Sequence, residues 1–198
     1  QFLHKDFQEN YGDSSLKVVW DPGNGVTGPI LQKLLPQLPG THFLINEVVE
    51  GTFPSRPSDP TIFENLKQLS QVVQDKKCDF GIAFDGDGDR LSVIDKYGRL
   101  LLADQLLPLF AEEVLRTYPG ASILIDVKSS VHLLNSIEKL GGKPLFCSCG
   151  HSNIKIKMKE VNSPLAAEMS GHIMFADRAL GFDDAIYAAV RLFGILST

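Results

Sequence analysis

Asp85-Gly-Asp-Gly-Asp89 sets three carboxylates on alternate residues with two glycines between them, directly after the apolar run Phe80–Phe84. Glycine admits positive φ, so the backbone can curl and turn alternate side chains to one centre. Three converging carboxylates repel one another unless a cation lies among them. An all-oxygen set suits a hard cation, Mg²⁺ or Ca²⁺, rather than zinc. Asp85, Asp87 and Asp89 are therefore candidate metal ligands, and a solvated acidic turn between two strands is the plain alternative. An EF-hand loop is excluded: its sixth position needs Gly and its twelfth Glu, and here Arg90 and Lys96 stand there.

Other segments carry weaker chemical signals. Gly23-Asn-Gly-Val-Thr-Gly28 has the Gly-x-Gly-x-x-Gly spacing of a dinucleotide loop, with Glu47 and Glu50 near the place of a ribose-binding acid. Asp21-Pro22 before it and Pro29 after it fit a tight strand-to-helix turn equally well. Cys147-Ser-Cys-Gly-His151 spaces its cysteines too closely for a structural zinc site, so free thiols are expected. Glu168-Met-Ser-Gly-His172 gathers an acceptor, a hydroxyl and an imidazole, which suits sugar hydroxyls or a capped turn. A dehalogenase-type phosphatase with Asp85 as nucleophile is a further alternative. Its loop usually carries Thr or Val where Asp89 stands, and Asp183-Asp184 imitates its later acidic motif.

The elements around these residues alternate. Leu16–Trp20 reads as a strand, and Pro29 opens a helix with Ile30, Leu31, Leu34 and Leu35 on one face. Phe43–Val49 reads as a strand, and the proline-rich stretch Gly51–Pro60 as a loop. Asp59 and Pro60 are expected to start a helix that turns Ile62, Leu66, Leu69 and Val73 inward. Phe80–Phe84 and Leu91–Ile94 are strands either side of the acidic loop. The second half repeats the plan: a helix near Asp104–Tyr118, a strand Ile123–Val127, the turn Lys128-Ser-Ser130, a helix stopped by Gly141-Gly142, strands Pro144–Cys147, Leu165–Ala167 and Ile173–Phe175, and a last helix capped by Asp183. The expected fold class is α/β: two tandem domains of similar topology, 1–98 and 99–198, each a mainly parallel mixed sheet flanked by helices. Each acidic tip then lies at the carboxyl end of a strand, where open α/β sheets hold their ligands.

Composition narrows the function. The 198 residues are 43% hydrophobic and 22% charged, with a net charge of -5. That balance argues for a globular chain and against a general nucleic-acid binder. No apolar run approaches the ~20 residues of a membrane span. Three cysteines, an odd number without framework spacing, and the lack of a visible secretory signal point to a reducing, cytoplasmic location. The chain starts at Gln1 and stops at Thr198 just after a helix-forming stretch, so it is expected to be a piece of a longer protein.

Taken together, Val-Val-Trp-Asp-Pro-Gly-Asn-Gly25, Gly-Thr-Phe-Pro54, Phe-Asp-Gly-Asp-Gly-Asp-Arg90, Asp-Val-Lys-Ser-Ser130, Gly-His-Ser-Asn-Ile-Lys155, Glu-Met-Ser-Gly-His172 and Gly-Phe-Asp-Asp184 resemble the α-D-phosphohexomutase family. The bacterial phosphomannomutase/phosphoglucomutase branch is the nearest in pattern. Ala167 and Ala185 stand where that family usually has Gly, both small departures. The resemblance covers the second and third of four domains; the phosphoserine loop of the first and the phosphate-binding loop of the fourth are missing here. It implies an isomerase that moves a phosphoryl group between O6 and O1 of mannose or glucose phosphates, by way of a hexose 1,6-bisphosphate. It implies Mg²⁺ on Asp85, Asp87 and Asp89, phosphate contact by Arg90, and charge stabilisation or proton relay by Lys128. Glu168 and Ser170 would hold the sugar O3 and O4, with His151 and His172 as acid/base or positioning groups. It further implies that this chain is inactive alone.

Overall fold

The computed structural model describes residues 2–197, which divide into two compact units: 2–101 with 185–197, and Leu102–Asp184. The first unit holds helices α1 (Phe2–Asn10), α2 (Gly28–Leu34), α3 (Lys67–Asp75) and α7 (Ala185–Ser197). Its sheet comprises β1 (Lys17–Asp21), β2 (Thr41–Leu44), β3 (Phe80–Phe84), β4 (Leu91–Asp95) and β5 (Leu100–Leu101), in the order β2-β1-β3-β4-β5. β1 runs parallel to β2 and β3, and β4 returns antiparallel to β3. Every residue of β3 is buried, as its unbroken apolar run requires of a central strand covered on both faces. One face packs Val19, Ala83 and Ile94 against Leu66, Leu69 and Val73. Gly81 admits that helix: a Cβ there would lie 2.7 Å from both Leu69 and Val73. On the other face Trp20 stacks on Phe84, and Phe193 of α7 meets Phe7 and His42.

The second unit holds α4 (Ala103–Thr117), α5 (Val131–Lys139) and α6 (His151–Val161). Its strands are β6 (Ser122–Asp126), β7 (Lys143–Cys147), β8 (Leu165–Ala167) and β9 (Ile173–Phe175), in the order β7-β6-β8-β9. β6 is parallel to β7 and β8, and β9 returns antiparallel to β8. Ile154 and Met158 of α6 pack on Leu124, Ala166 and Met174. Phe110 of α4 meets Phe175 edge to face at 5.2 Å. The two sheets thus share one plan: a first strand between two parallel neighbours, then a hairpin return.

Several expected elements differ in extent. β2 ends at Leu44, because Asn46 takes a φ of +53° that an extended strand cannot hold. Asp59 Oδ1 accepts from the Thr61 backbone and hydroxyl, a local turn, and only a 3₁₀ turn Phe63–Leu66 precedes α3. Ile62, ahead of that turn, is left exposed, and on α2 Ile30 is exposed too, so neither faces inward as expected. Helices α1 and α6 were not expected. The last helix begins at Ala185, so Asp183 lies one residue ahead of the capping position. By packing that helix joins the first unit, although on the sequence it falls in 99–198. No helix among the described residues is long and apolar enough to cross a membrane.

Candidate active-site loops

The acidic loop of the first unit leaves the carboxyl end of β3. Asp85 is 1% exposed, and its Oδ1 accepts from the backbone N–H groups of Gly88, Asp89 and Arg90 at 2.9, 3.1 and 3.2 Å. Gly88 sits at a φ of +82°, the curl that aims these donors inward. Arg90 Nε donates to Asp85 Oδ2 at 2.7 Å. Burial raises the Asp85 carboxyl, but the hydrogen bonds from Asp89 and Arg90 outweigh it and hold Asp85 below the usual carboxylate range. One oxygen each of Asp85, Asp87 and Asp89 lies within 4.8 Å of the others. Such an all-oxygen set, with Asp87 exposed, fits a hard divalent cation.

Two neighbours brace this loop. Val26 donates to Gly86 O at 3.0 Å, and Gly25 lies so close that a Cβ there would be 2.7 Å from the same oxygen. The glycines of Gly23–Gly28 therefore let one loop lie against another. Arg56, buried, pairs its Nε with Asp21 Oδ2 at 2.7 Å and donates from Nη2 to Phe84 O at 2.7 Å. The carbonyl that precedes Asp85 is fixed by this pair. On the sequence Asp21 was read only as part of a strand-to-helix turn and Arg56 was given no role; an Asp closing an apolar strand, with Arg in a proline-rich loop, was the available signal.

In the second unit the tip after β8 is closed by Glu168 N donating to His172 O at 2.9 Å. Glu168 is 5% exposed, with Oε1 accepting from Gly150 N at 2.7 Å and Oε2 2.9 Å from His172 Nδ1. Ser170 Oγ lies 2.9 Å from the same nitrogen. The His172 hydrogen bond holds the Glu168 carboxyl below the usual range against the opposing effect of burial, and the Gly150 N–H adds to it. The His151 ring stacks on His172 with centroids 5.6 Å apart and planes 15° from parallel. His151 Nδ1 meets Asp183 Oδ2 at 2.7 Å, and Lys155 Nζ meets Asp183 Oδ1 at 2.5 Å. Burial raises the Asp183 carboxyl, but its bonds to Lys155 and His151 hold it lower. Lys128 is exposed in the turn after β6, where its N–H donates to Asp126 Oδ1. Asp126 Oδ2 accepts from Met169 N at 2.8 Å, so one buried carboxylate ties the Lys128 turn to the Glu168 tip. Asp126 opens the Asp-Val-Lys-Ser-Ser130 segment but was given no role of its own on the sequence. It ends β6 as Asp21 ends β1.

The family models for the phosphoglucomutase/phosphomannomutase α/β/α domains II and III match residues 2–98 and 103–198. The chain is 47% identical over 182 residues to a phosphomannomutase/phosphoglucomutase of Pseudomonas aeruginosa, covering 92% of this chain and 39% of that protein. It is 42% identical to a phosphoglucomutase of Neisseria meningitidis, covering 92% and 40%. A crystal structure of a phosphoglucomutase/phosphomannomutase family protein from Burkholderia thailandensis superposes with a TM-score of 0.90 at 41% identity, over all of this chain and 44% of that one. The chain belongs to the phosphoglucomutase/phosphomannomutase family. It spans about two fifths of the length of these relatives. In this family member the expected residues fall into two groups: Asp85, Asp87, Asp89 and Arg90 in one loop of domain II, and His151, Glu168, Ser170 and His172 around one tip of domain III, with Lys128 tethered to that tip through Asp126. Cys147 and Cys149 form no disulfide and, like Cys78, are free thiols.

Proposed function

We propose that this protein is a phosphohexomutase, an isomerase that moves a phosphoryl group between O6 and O1 of mannose and glucose phosphates. Its partners are then hexose 1-phosphates, hexose 6-phosphates and the hexose 1,6-bisphosphate between them, and it works in the cytoplasm, in keeping with three unpaired cysteines. The observation that carries this is the gathered carboxylate loop of Asp85, Asp87 and Asp89, in a chain whose two halves match domains II and III of the family. The names of the relatives supply the sugar specificity.

Asp85, Asp87 and Asp89 would hold Mg²⁺, which when bound offsets negative charge on the transferring phosphoryl group. Arg90 keeps Asp85 charged and offers its remaining N–H groups to phosphate. Lys128 adds an exposed positive charge in the turn that Asp126 ties to the Glu168 tip. Glu168 has one lone pair engaged on each oxygen and a second left on each, so it can accept from two vicinal hydroxyls while Ser170 contacts a third. His151 and His172 take up and return the hydroxyl proton as phosphate enters and leaves. The phosphoserine donor and the distal phosphate-binding loop are assigned to the first and fourth domains, so this chain alone should be inactive.

The phosphatase alternative requires an Asp85 oxygen aimed at phosphorus. A carboxylate that is 1% exposed, with Oδ1 taking three N–H groups and Oδ2 taking Arg90, is badly placed for attack. A coupled assay of the full-length protein on glucose 1-phosphate and mannose 1-phosphate, with Mg²⁺ and the bisphosphate activator, tests the proposal. Formation of both 6-phosphates is expected; release of inorganic phosphate in their place would favour the hydrolytic reading.

A further inference from the structure

His151 and His172 each meet a carboxylate through Nδ1, and the two pairs lie ring on ring. The His172 pair is local to the Glu168 tip. The His151 pair joins α6 to a residue 32 positions away, Asp183, which has no part in the function as drawn so far. Nδ1 of His151 has two neighbours of opposite kind. Asp183 is a carboxylate and only accepts, at 2.7 Å; Lys155 Nζ only donates, at 3.4 Å. The distances decide between them: a ring nitrogen 2.7 Å from a carboxylate carries its hydrogen, and 3.4 Å is too long to compete. Lys155 is instead spent on the other oxygen of Asp183. Both oxygens of a side chain that is 10% exposed are thus fixed by one turn of α6, His151 and Lys155 standing four residues apart. The His151 side chain is 49% exposed, and Asp183 is the acceptor that meets its Nδ1.

We propose that Asp183 is a positioning residue for His151: it keeps the neutral ring in the Nδ1–H tautomer, so that Nε2 is the nitrogen that accepts a proton. The role of Asp183 rests on the proposed acid/base work of His151. In Asp183→Asn a single amide oxygen faces two donors, and the Lys155 ammonium claims it. Nδ1 is then left to accept, and the ring hydrogen moves to Nε2, where it blocks proton uptake.

The test is nitrogen NMR of full-length protein labelled at histidine, above the pH where the imidazoles titrate, with His151 assigned through His151→Gln. In the native protein His151 should show a protonated Nδ1 and an unprotonated Nε2; the reverse pattern overturns the proposal without any variant. Lys155→Met should keep the native pattern, because Asp183 remains. Asp183→Asn should reverse it at His151, with kcat lower by roughly 100-fold and KM little changed, the usual share of acid/base catalysis. Asp183→Glu should restore both in part. An unchanged His151 tautomer in Asp183→Asn would also overturn the proposal. A reversed tautomer with full turnover would uphold the anchor and overturn the acid/base role assigned to His151, so the two failures are distinguishable.

Discussion

At the scale of single residues, Asp85, Glu168 and Asp183 are carboxylates with both oxygens already hydrogen-bonded before any ligand arrives. Glu168 shows the consequence. Both of its oxygens face donors, Gly150 N–H and His172 Nδ1–H. Glu168→Gln keeps the shape but must turn its amide NH₂ toward one of those donors, and it loses the charge that strengthens the bonds to sugar hydroxyls. We expect kcat/KM to fall by roughly 10- to 100-fold for glucose and mannose phosphates alike, since the two sugars share O3 and O4. Parallel assays on both substrates check this, and a loss confined to one sugar contradicts it. Asp87 is the exposed carboxylate of the proposed metal loop and makes none of the bonds that hold Asp85. Asp87→Asn should therefore weaken Mg²⁺ binding by about tenfold or more while leaving the fold alone, because charge count sets affinity in such sites. Calorimetric titration measures it, and equal binding by both proteins removes the loop from the metal site.

At the scale of elements, a strand-terminal aspartate recurs as the device that aims each loop. Asp21 at the end of β1 accepts from Gly23 N and pairs with Arg56, which in turn holds Phe84 O. Asp126 at the end of β6 accepts from Lys128 N and Met169 N. Breaking the buried Asp21–Arg56 pair strands a carboxylate in the interior. Arg56→Met should cost about 3–5 kcal/mol, read from urea unfolding, and should weaken Mg²⁺ binding through the freed Phe84 carbonyl; a cost under about 1 kcal/mol would contradict that role. The strands that carry the chemistry were legible because their patterns are unambiguous: Phe80–Phe84 is apolar throughout, and Leu107, Phe110 and Val114 of α4 repeat at helical spacing and are all buried. What was missed follows equally from pattern. Helix α6 runs His151–Val161 through Ile-Lys-Ile-Lys-Met-Lys, whose alternation imitates a strand, and it buries only Ile154 and Met158. Helix α1 buries only Asp6 and Phe7, too few to mark a face. The loops proposed to hold metal and sugar were visible as local motifs. Asp21, Arg56, Asp126 and the His151–Asp183 pair were not, because each joins residues distant in sequence.

At the scale of the whole molecule, two sheets of one plan each present an acidic loop at the carboxyl end of the corresponding strand, β3 in one and β8 in the other. Carboxylates held by hydrogen bonds and ion pairs tie stability to pH. Glu168, Asp183 and Asp95 are all held below their ordinary range, Asp95 because bonds from Arg99 and Tyr97 outweigh its desolvation. A group depressed in the folded state contributes stability in full above its unfolded value, near pH ~4 for carboxylates, and loses it as pH falls through the folded value. The urea midpoint should therefore drop between about pH 5 and about pH 3, less steeply in Glu168→Gln, and a flat midpoint across that window contradicts the assignment. On the proposed function the phosphoryl donor and the grip on the distal phosphate belong to the first and fourth domains, so these two loops alone would not order the reactants for transfer. The most direct measurement is a coupled assay of glucose 1-phosphate conversion by the purified 198-residue chain and by the full-length protein, each with Mg²⁺ and the bisphosphate activator. The account predicts turnover by the full-length protein and none above blank by the chain, which circular dichroism should show to be folded; sustained turnover by the chain would contradict it and return Asp85 to consideration as a nucleophile.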